Sequence, residues 1–97
     1  MSSNNSNDYY LIILLIKYLD LAKGDYNTAM KLAAQGGHKD LVDFFIYKGA
    51  KDWNSGMFGA AQGGHRELVD FFISKGARDW NWAMVYATKG GRDVIDL

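Results

Sequence analysis

The sequence contains no cysteine and no proline. Without thiols, neither a disulfide framework nor a thiolate zinc site is open to it, and the lack fits a reducing, intracellular compartment. Without proline, the chain must break its helices by other means, and its 11 glycines supply them. An excess of one charge is also missing, since 11 Lys and Arg balance 11 Asp and Glu. A balanced chain has no positive field with which to hold nucleic acid or an anionic membrane, so neither is expected as a partner. There is no long hydrophobic run. The longest stretch, Tyr9 to Ile16, is broken by Lys17, well short of the ~20 apolar residues that span a bilayer. No segment alternates apolar and polar residues as a strand would. The Ser/Asn-rich residues 1–8 lack the basic segment of a secretory signal and are expected to form a disordered tail.

What is present is a repeat. Gly36-Gly37-His38 returns as Gly63-Gly64-His65, and Gly90-Gly91-Arg92 echoes both at the same spacing of 27. Residues 30–56 and 57–83 are identical at 19 of 27 positions, and self-similarity at such a period marks a solenoid. The register extends outward, dividing the chain into a half repeat at 9–29, full repeats at 30–56 and 57–83, and a partial repeat at 84–97.

Each unit reads as two helices. Met57, Ala60 and Ala61 fall at i, i+3, i+4, one apolar face whose small alanines let neighbouring backbones approach. Gly63-Gly64 ends this first helix, because glycine accepts the left-handed conformation of a helix C-terminus. The second helix is expected over Arg66 to Lys75, with Leu68, Val69, Phe72 and Ile73 as its buried stripe, Phe71 on the margin, and Arg66, Glu67, Asp70 and Ser74 facing away. Lys75 and Gly76 close it. Neither helix pair can bury its apolar face alone, so stacking must supply the partner surface.

The segment Gly59-Ala60-Ala61-Gln62-Gly63-Gly64-His65-Arg66-Glu67-Leu68-Val69, with Ser74-Lys75-Gly76-Ala77 after it, resembles the ankyrin repeat over about residues 10–97. That resemblance implies an all-α solenoid of stacked antiparallel helix pairs and a non-catalytic protein-binding role. Two departures qualify it. Ser55-Gly56-Met57-Phe58 stands where ankyrins carry Thr-Pro-Leu-His, and the unit is 27 residues against the family's 33. The missing residues fall where ankyrins project their β-hairpin fingers. Only a short link, Lys51-Asp52-Trp53-Asn54, remains there, so the finger contacts are not carried over. Short units with Asp-Trp-Asn links are similar to ankyrin proteins of large amoeba-infecting DNA viruses, which would place the chain in a host cytoplasm.

Candidate chemistry is sparse. His38 and His65 are one repeat apart, roughly 10 Å in a helix stack, too far to share a metal ion. No nucleophile or third ligand accompanies either, so no catalytic constellation is expected. The resemblance implies instead that each bonds the backbone of a neighbouring unit. A phosphate loop opens onto a helix N-terminus, whereas the diglycines recur three times and end short helices, so no cofactor is expected. The carboxylate ladders Asp43/Asp70/Asp96 and Asp25/Asp52/Asp79 read as solvated charge, with the second set placed to cap the following turn.

Two kinds of partner surface remain. For a protein partner, the aromatic column Tyr26, Trp53, Trp80 either seals the seam between repeats or faces outward as anchors. Trp82 breaks a position otherwise held by Thr28 and Ser55. Lys31/Phe58/Val85 and Leu32/Gly59/Tyr86 vary while core positions recur, which places them off the centre of the packing. By the resemblance, Gln35, Gln62 and Lys89 share the concave face with them. The expected partner-binding set is therefore Phe58, Gln35, Gln62, Trp82, Tyr86 and Lys89, with Trp53 and Trp80 in the links. The alternative is a self-assembling protein. Its first helix is apolar on two faces, with Leu14, Leu15, Tyr18 and Leu19 directed at the next repeat. Leu11, Ile12 and Ile16 are left for a second partner, and a homodimer is the commonest such assembly. Val94, Ile95 and Leu97 likewise begin a second helix at the other end of the array.

Overall fold

A computed structural model describes residues 6–78, with side chains from Tyr9 onward. It contains five helices: α1 (Ser6–Leu21), α2 (Tyr26–Gln35), α3 (Lys39–Tyr47), α4 (Trp53–Gly63) and α5 (Arg66–Lys75). Among the described residues there is no strand. The fold is therefore all-α, as the periodicity predicts. The second helix of the second full unit runs over the predicted residues, whereas α1 begins at Ser6, inside the segment expected to be a tail.

The helices start and stop for identifiable reasons. Asp25 and Asp52 cap α2 and α4. The Asp25 carboxylate accepts from the Asn27 amide at 3.2 Å and the Thr28 hydroxyl at 2.7 Å. Asp52 accepts from the Ser55 amide at 3.2 Å and hydroxyl at 2.8 Å. These bonds satisfy N–H groups that a helix start leaves open, and they brace the turn where Thr-Pro-Leu-His is absent. At the far end, Gly64 adopts the left-handed conformation with φ 80°. The amide of His65 then reaches back to the Ala60 carbonyl at 2.8 Å, as His38 reaches Ala33 at 2.9 Å, the closure that a left-handed cap allows.

Packing follows the same repeat. α2 pairs with α3 and α4 with α5, while α2 and α4 lie side by side as an inner column. The outer helices α3 and α5 approach each other less closely, so the stack opens on the outside and closes within. The core is built from repeat-mates: Met30 and Met57, Ala33 and Ala60, Ala34 and Ala61, Val42 and Val69, Phe45 and Phe72. Phe45 and Phe72 are the largest side chains buried outright. Burying each contributes on the order of 2–3 kcal/mol.

The inner column is tight enough to overturn one expectation. Gly59 varies between repeats, yet it is buried, because a Cβ there would run into the carbonyl oxygen of Lys31. Its repeat-mate Leu32 is half-buried and packs against the core. The position varies because α4 must meet the backbone of α2, whereas Leu32 lines an open groove with Tyr18 and Leu21.

A second correction concerns Trp53. It does not sit in a link but is the first residue of α4, half-buried and packed on the core. Its position on the helix turns it inward toward the α5 terminus, where its Cδ1 borders Gly76. Tyr26, one repeat earlier, stacks on Phe45 with ring centroids 6.4 Å apart. Both aromatics seal seams between helices. A third correction concerns Leu11, which packs against the core and leaves Ile12 and Ile16 on the open face of α1.

Candidate protein-binding surface

Two faces of the stack could receive a partner. The inner one is built by α2 and α4. Each helix turns its small residues into the core, which leaves Thr28, Lys31 and Gln35 in one stripe and Ser55, Phe58 and Gln62 in the next, at i, i+3 and i+7. Thr28 and Gln35 are exposed, and Lys31, Ser55, Phe58 and Gln62 are half-buried. Of the residues expected at a protein interface, the structure thus brings Gln35, Phe58 and Gln62 to one face and removes Trp53 from it. Trp80, Trp82, Tyr86 and Lys89 lie outside the described residues.

A histidine side chain ties the two stripes together. His65 Nε2 pairs with the carbonyl oxygen of Gln35 at 3.1 Å across the repeat boundary. His65 is also the residue preceding α5, and its ring makes no cap bond to that helix. It is committed to the neighbouring unit, as the resemblance implied. His38 meets different surroundings, with the rings of Tyr10 and Tyr18 each 6.1 Å from its own. Burial pushes the Tyr18 hydroxyl above the ordinary tyrosine range, and the neighbouring Tyr10 adds to the shift.

Asparagine also positions this surface, a role not assigned from the sequence. Asn27 Oδ1 accepts from the amides of Lys51 and Asp52 at 2.8 and 3.0 Å. Asn54 Oδ1 does the same for Arg78 at 2.8 Å. Each side chain thereby fixes the link entering the next repeat, which replaces the longer finger with a two-residue clamp. The signal was available in the spacing of Asn27, Asn54 and Asn81.

The outer face carries a groove of about 630 Å³ between the starts of α3 and α5, lined by Gly37, Lys39, His65, Arg66, Leu68 and Phe71 among others. Lys39 spans it, with its ammonium 4.3 Å from the centre of the Phe71 ring and 3.1 Å from Asp43. The lysine covers an apolar patch while keeping an ion pair of its own helix. The groove holds one histidine and no nucleophile. No cluster of metal-ligating side chains occurs among the described residues, and no described helix is long and apolar enough to cross a membrane.

Comparison with known families fits this geometry. Residues 25–56 match the family model described as the ankyrin repeat. The match begins at the capping Asp25, runs through α2 and α3, and ends in the first turn of α4. The fold is ankyrin-like, with its short links in place of fingers. No curated protein and no solved structure matches the chain.

Proposed function

We propose that the chain is a non-catalytic scaffold that binds a protein through the inner face of its ankyrin-like stack. One observation carries this reading. Lys31 and Phe58 occupy the same partly exposed site one repeat apart and differ, while the buried pairs Met30/Met57, Ala33/Ala60 and Ala34/Ala61 around them repeat. A fixed frame with a changing face is how a solenoid sets partner choice. Phe58 supplies the aromatic anchor, and Gln35 and Gln62 supply adaptable hydrogen bonding around it. Ankyrin repeats are generally protein-interaction modules, which supports the reading at the level of the family. An intracellular setting and a likeness to the short-unit ankyrin proteins of large DNA viruses go with it. The test is a photo-reactive residue placed at Gln35 or Gln62 and compared with the same probe at Asp70 on the outer face. The reading expects a discrete adduct with one protein at the inner positions and its loss in Phe58→Ala. Adducts confined to Asp70 would overturn it.

A second reading, self-association, is favoured by the exposure of Ile12 and Ile16 on α1.

A further inference from the structure

The two outer seams of the stack share their walls and differ at the rim. Between α3 and α5 the groove has His65 as a wall, Leu68 and Phe71 at its base, and Gly37, Lys39 and Arg66 around its mouth. Between α1 and α3 the repeat-mates of the wall and base are His38, Leu41 and Phe44, so these recur in kind. The repeat-mate of Gly37 is Tyr10.

Tyr10 sets its ring edge-on against His38, with centroids 6.1 Å apart and planes at 65°. The first seam thus shows what this histidine takes beside it, an aromatic ring in the T-shaped arrangement that ring quadrupoles favour. Gly37 brings no ring to His65. Nor can it be exchanged for a residue that would, because its φ is 78° and a Cβ there would lie 2.6 Å from the imidazole. The turn that ends α2 therefore holds the second seam open on this side.

The open seam is already shaped. His65 Nε2 pairs with the Gln35 carbonyl at 3.1 Å, which fixes the orientation of the imidazole. Phe71 is half-buried and braced edge-on by buried Phe72 at 5.3 Å. The volume of about 630 Å³ falls within the range of pockets that bind small ligands. Charge at the mouth is unevenly satisfied. Lys39 is neutralised by Asp43 at 3.1 Å. Glu67 lies in the first turn of α5, where the helix dipole favours an acid. Arg66 is exposed and makes no ion pair among the described residues. A carboxylate beside an inserted ring is the complement of that guanidinium.

We propose that the outer groove docks one aromatic side chain of a partner protein, tyrosine or phenylalanine, with a carboxylate next to it. The ring stands against His65 as Tyr10 stands against His38, and the carboxylate meets Arg66. This goes beyond the inner-face reading, and neither depends on the other.

The probe is 4-hydroxyphenylacetate, which joins the tyrosine ring to a carboxylate. Titrated into the intact chain and followed by NMR, it is expected to shift the His65 and Phe71 ring signals and the Leu68 methyls saturably, in the millimolar range usual for so small a ligand, and to leave the Phe58 ring unmoved. Cyclohexylacetate keeps the charge without the aromatic ring and should bind about two- to tenfold more weakly. p-Cresol keeps the ring without the charge and should bind about two- to fivefold more weakly. Arg66→Gln, at an exposed site, should erase the advantage over p-cresol and keep the advantage over cyclohexylacetate. No saturable shift at His65, Leu68 and Phe71 would overturn the site. Equal binding of cyclohexylacetate would overturn the aromatic assignment, and an advantage over p-cresol that survives Arg66→Gln would overturn the role of Arg66. The ring's contribution is read on the unaltered chain, so it does not rest on any variant folding.

Discussion

Several single side chains in this stack act across repeat boundaries. Asn27 is the clearest case, because one amide oxygen accepts two backbone N–H groups from the next link. Asn27→Ala is expected to cost about 1–2 kcal/mol, read as a fall of several degrees in the thermal midpoint. Gly59 gives a sharper test, because two effects oppose each other there. Alanine in a helix ordinarily gains about 1 kcal/mol over glycine, but a methyl group at this site meets the Lys31 carbonyl. Overpacking of that kind costs about 1–3 kcal/mol, so Gly59→Ala should lower the denaturation midpoint, and a rise would show that the α2–α4 seam is looser than described. Tyr18 adds a pH dependence. Its hydroxyl titrates above the ordinary tyrosine range in the folded chain. The unfolded chain therefore loses this proton first, near pH ~10. The stabilisation is complete below that value and declines as pH rises through the folded-state value. Tyr18→Phe should flatten the loss of thermal stability that begins near pH ~10, relative to the unaltered chain.

The helices themselves were readable from spacing, because the repeat prints each element more than once. The second helix at Arg66–Lys75 and the glycine stop at Gly64 follow from periodicity and from glycine's freedom at positive φ. The direction of individual side chains was less readable. Trp53 looks like a link residue when the chain is aligned by its Gly-Ala endings, but the Asp52 cap starts the helix one residue later and turns the indole inward. Variation at Leu32/Gly59 looks like surface freedom, although a glycine can vary from its repeat-mate because it permits a close approach. Leu11 looks free in a helix apolar on two sides, but it packs against the core in line with Leu14 and Tyr18. At this scale Phe58→Ala should cost about 1–2 kcal/mol of stability, since the ring is half-buried and packs against the core. It should weaken a protein partner by about 2 kcal/mol or more, the usual cost of removing an aromatic anchor. A titration of the captured partner against both forms, with their melting curves, separates the two effects.

Taken whole, the molecule divides its tasks between its faces. Small residues draw α2 and α4 together, and the changing side chains between their buried positions are offered on the inner side. The outer helices keep charges where they meet water and lose them on α1. The inner face is legible in the sequence as variation within a repeat. The outer face of α1 is legible only once the repeat register is combined with exposure, because apolar residues alone do not tell core from open surface. Photo-cross-linking at Gln35 and Gln62, set against Asp70, tests the central claim most directly. The account predicts one discrete protein adduct at the inner positions that Phe58→Ala removes. Adducts only at Asp70, or inner adducts indifferent to Phe58→Ala, would contradict it.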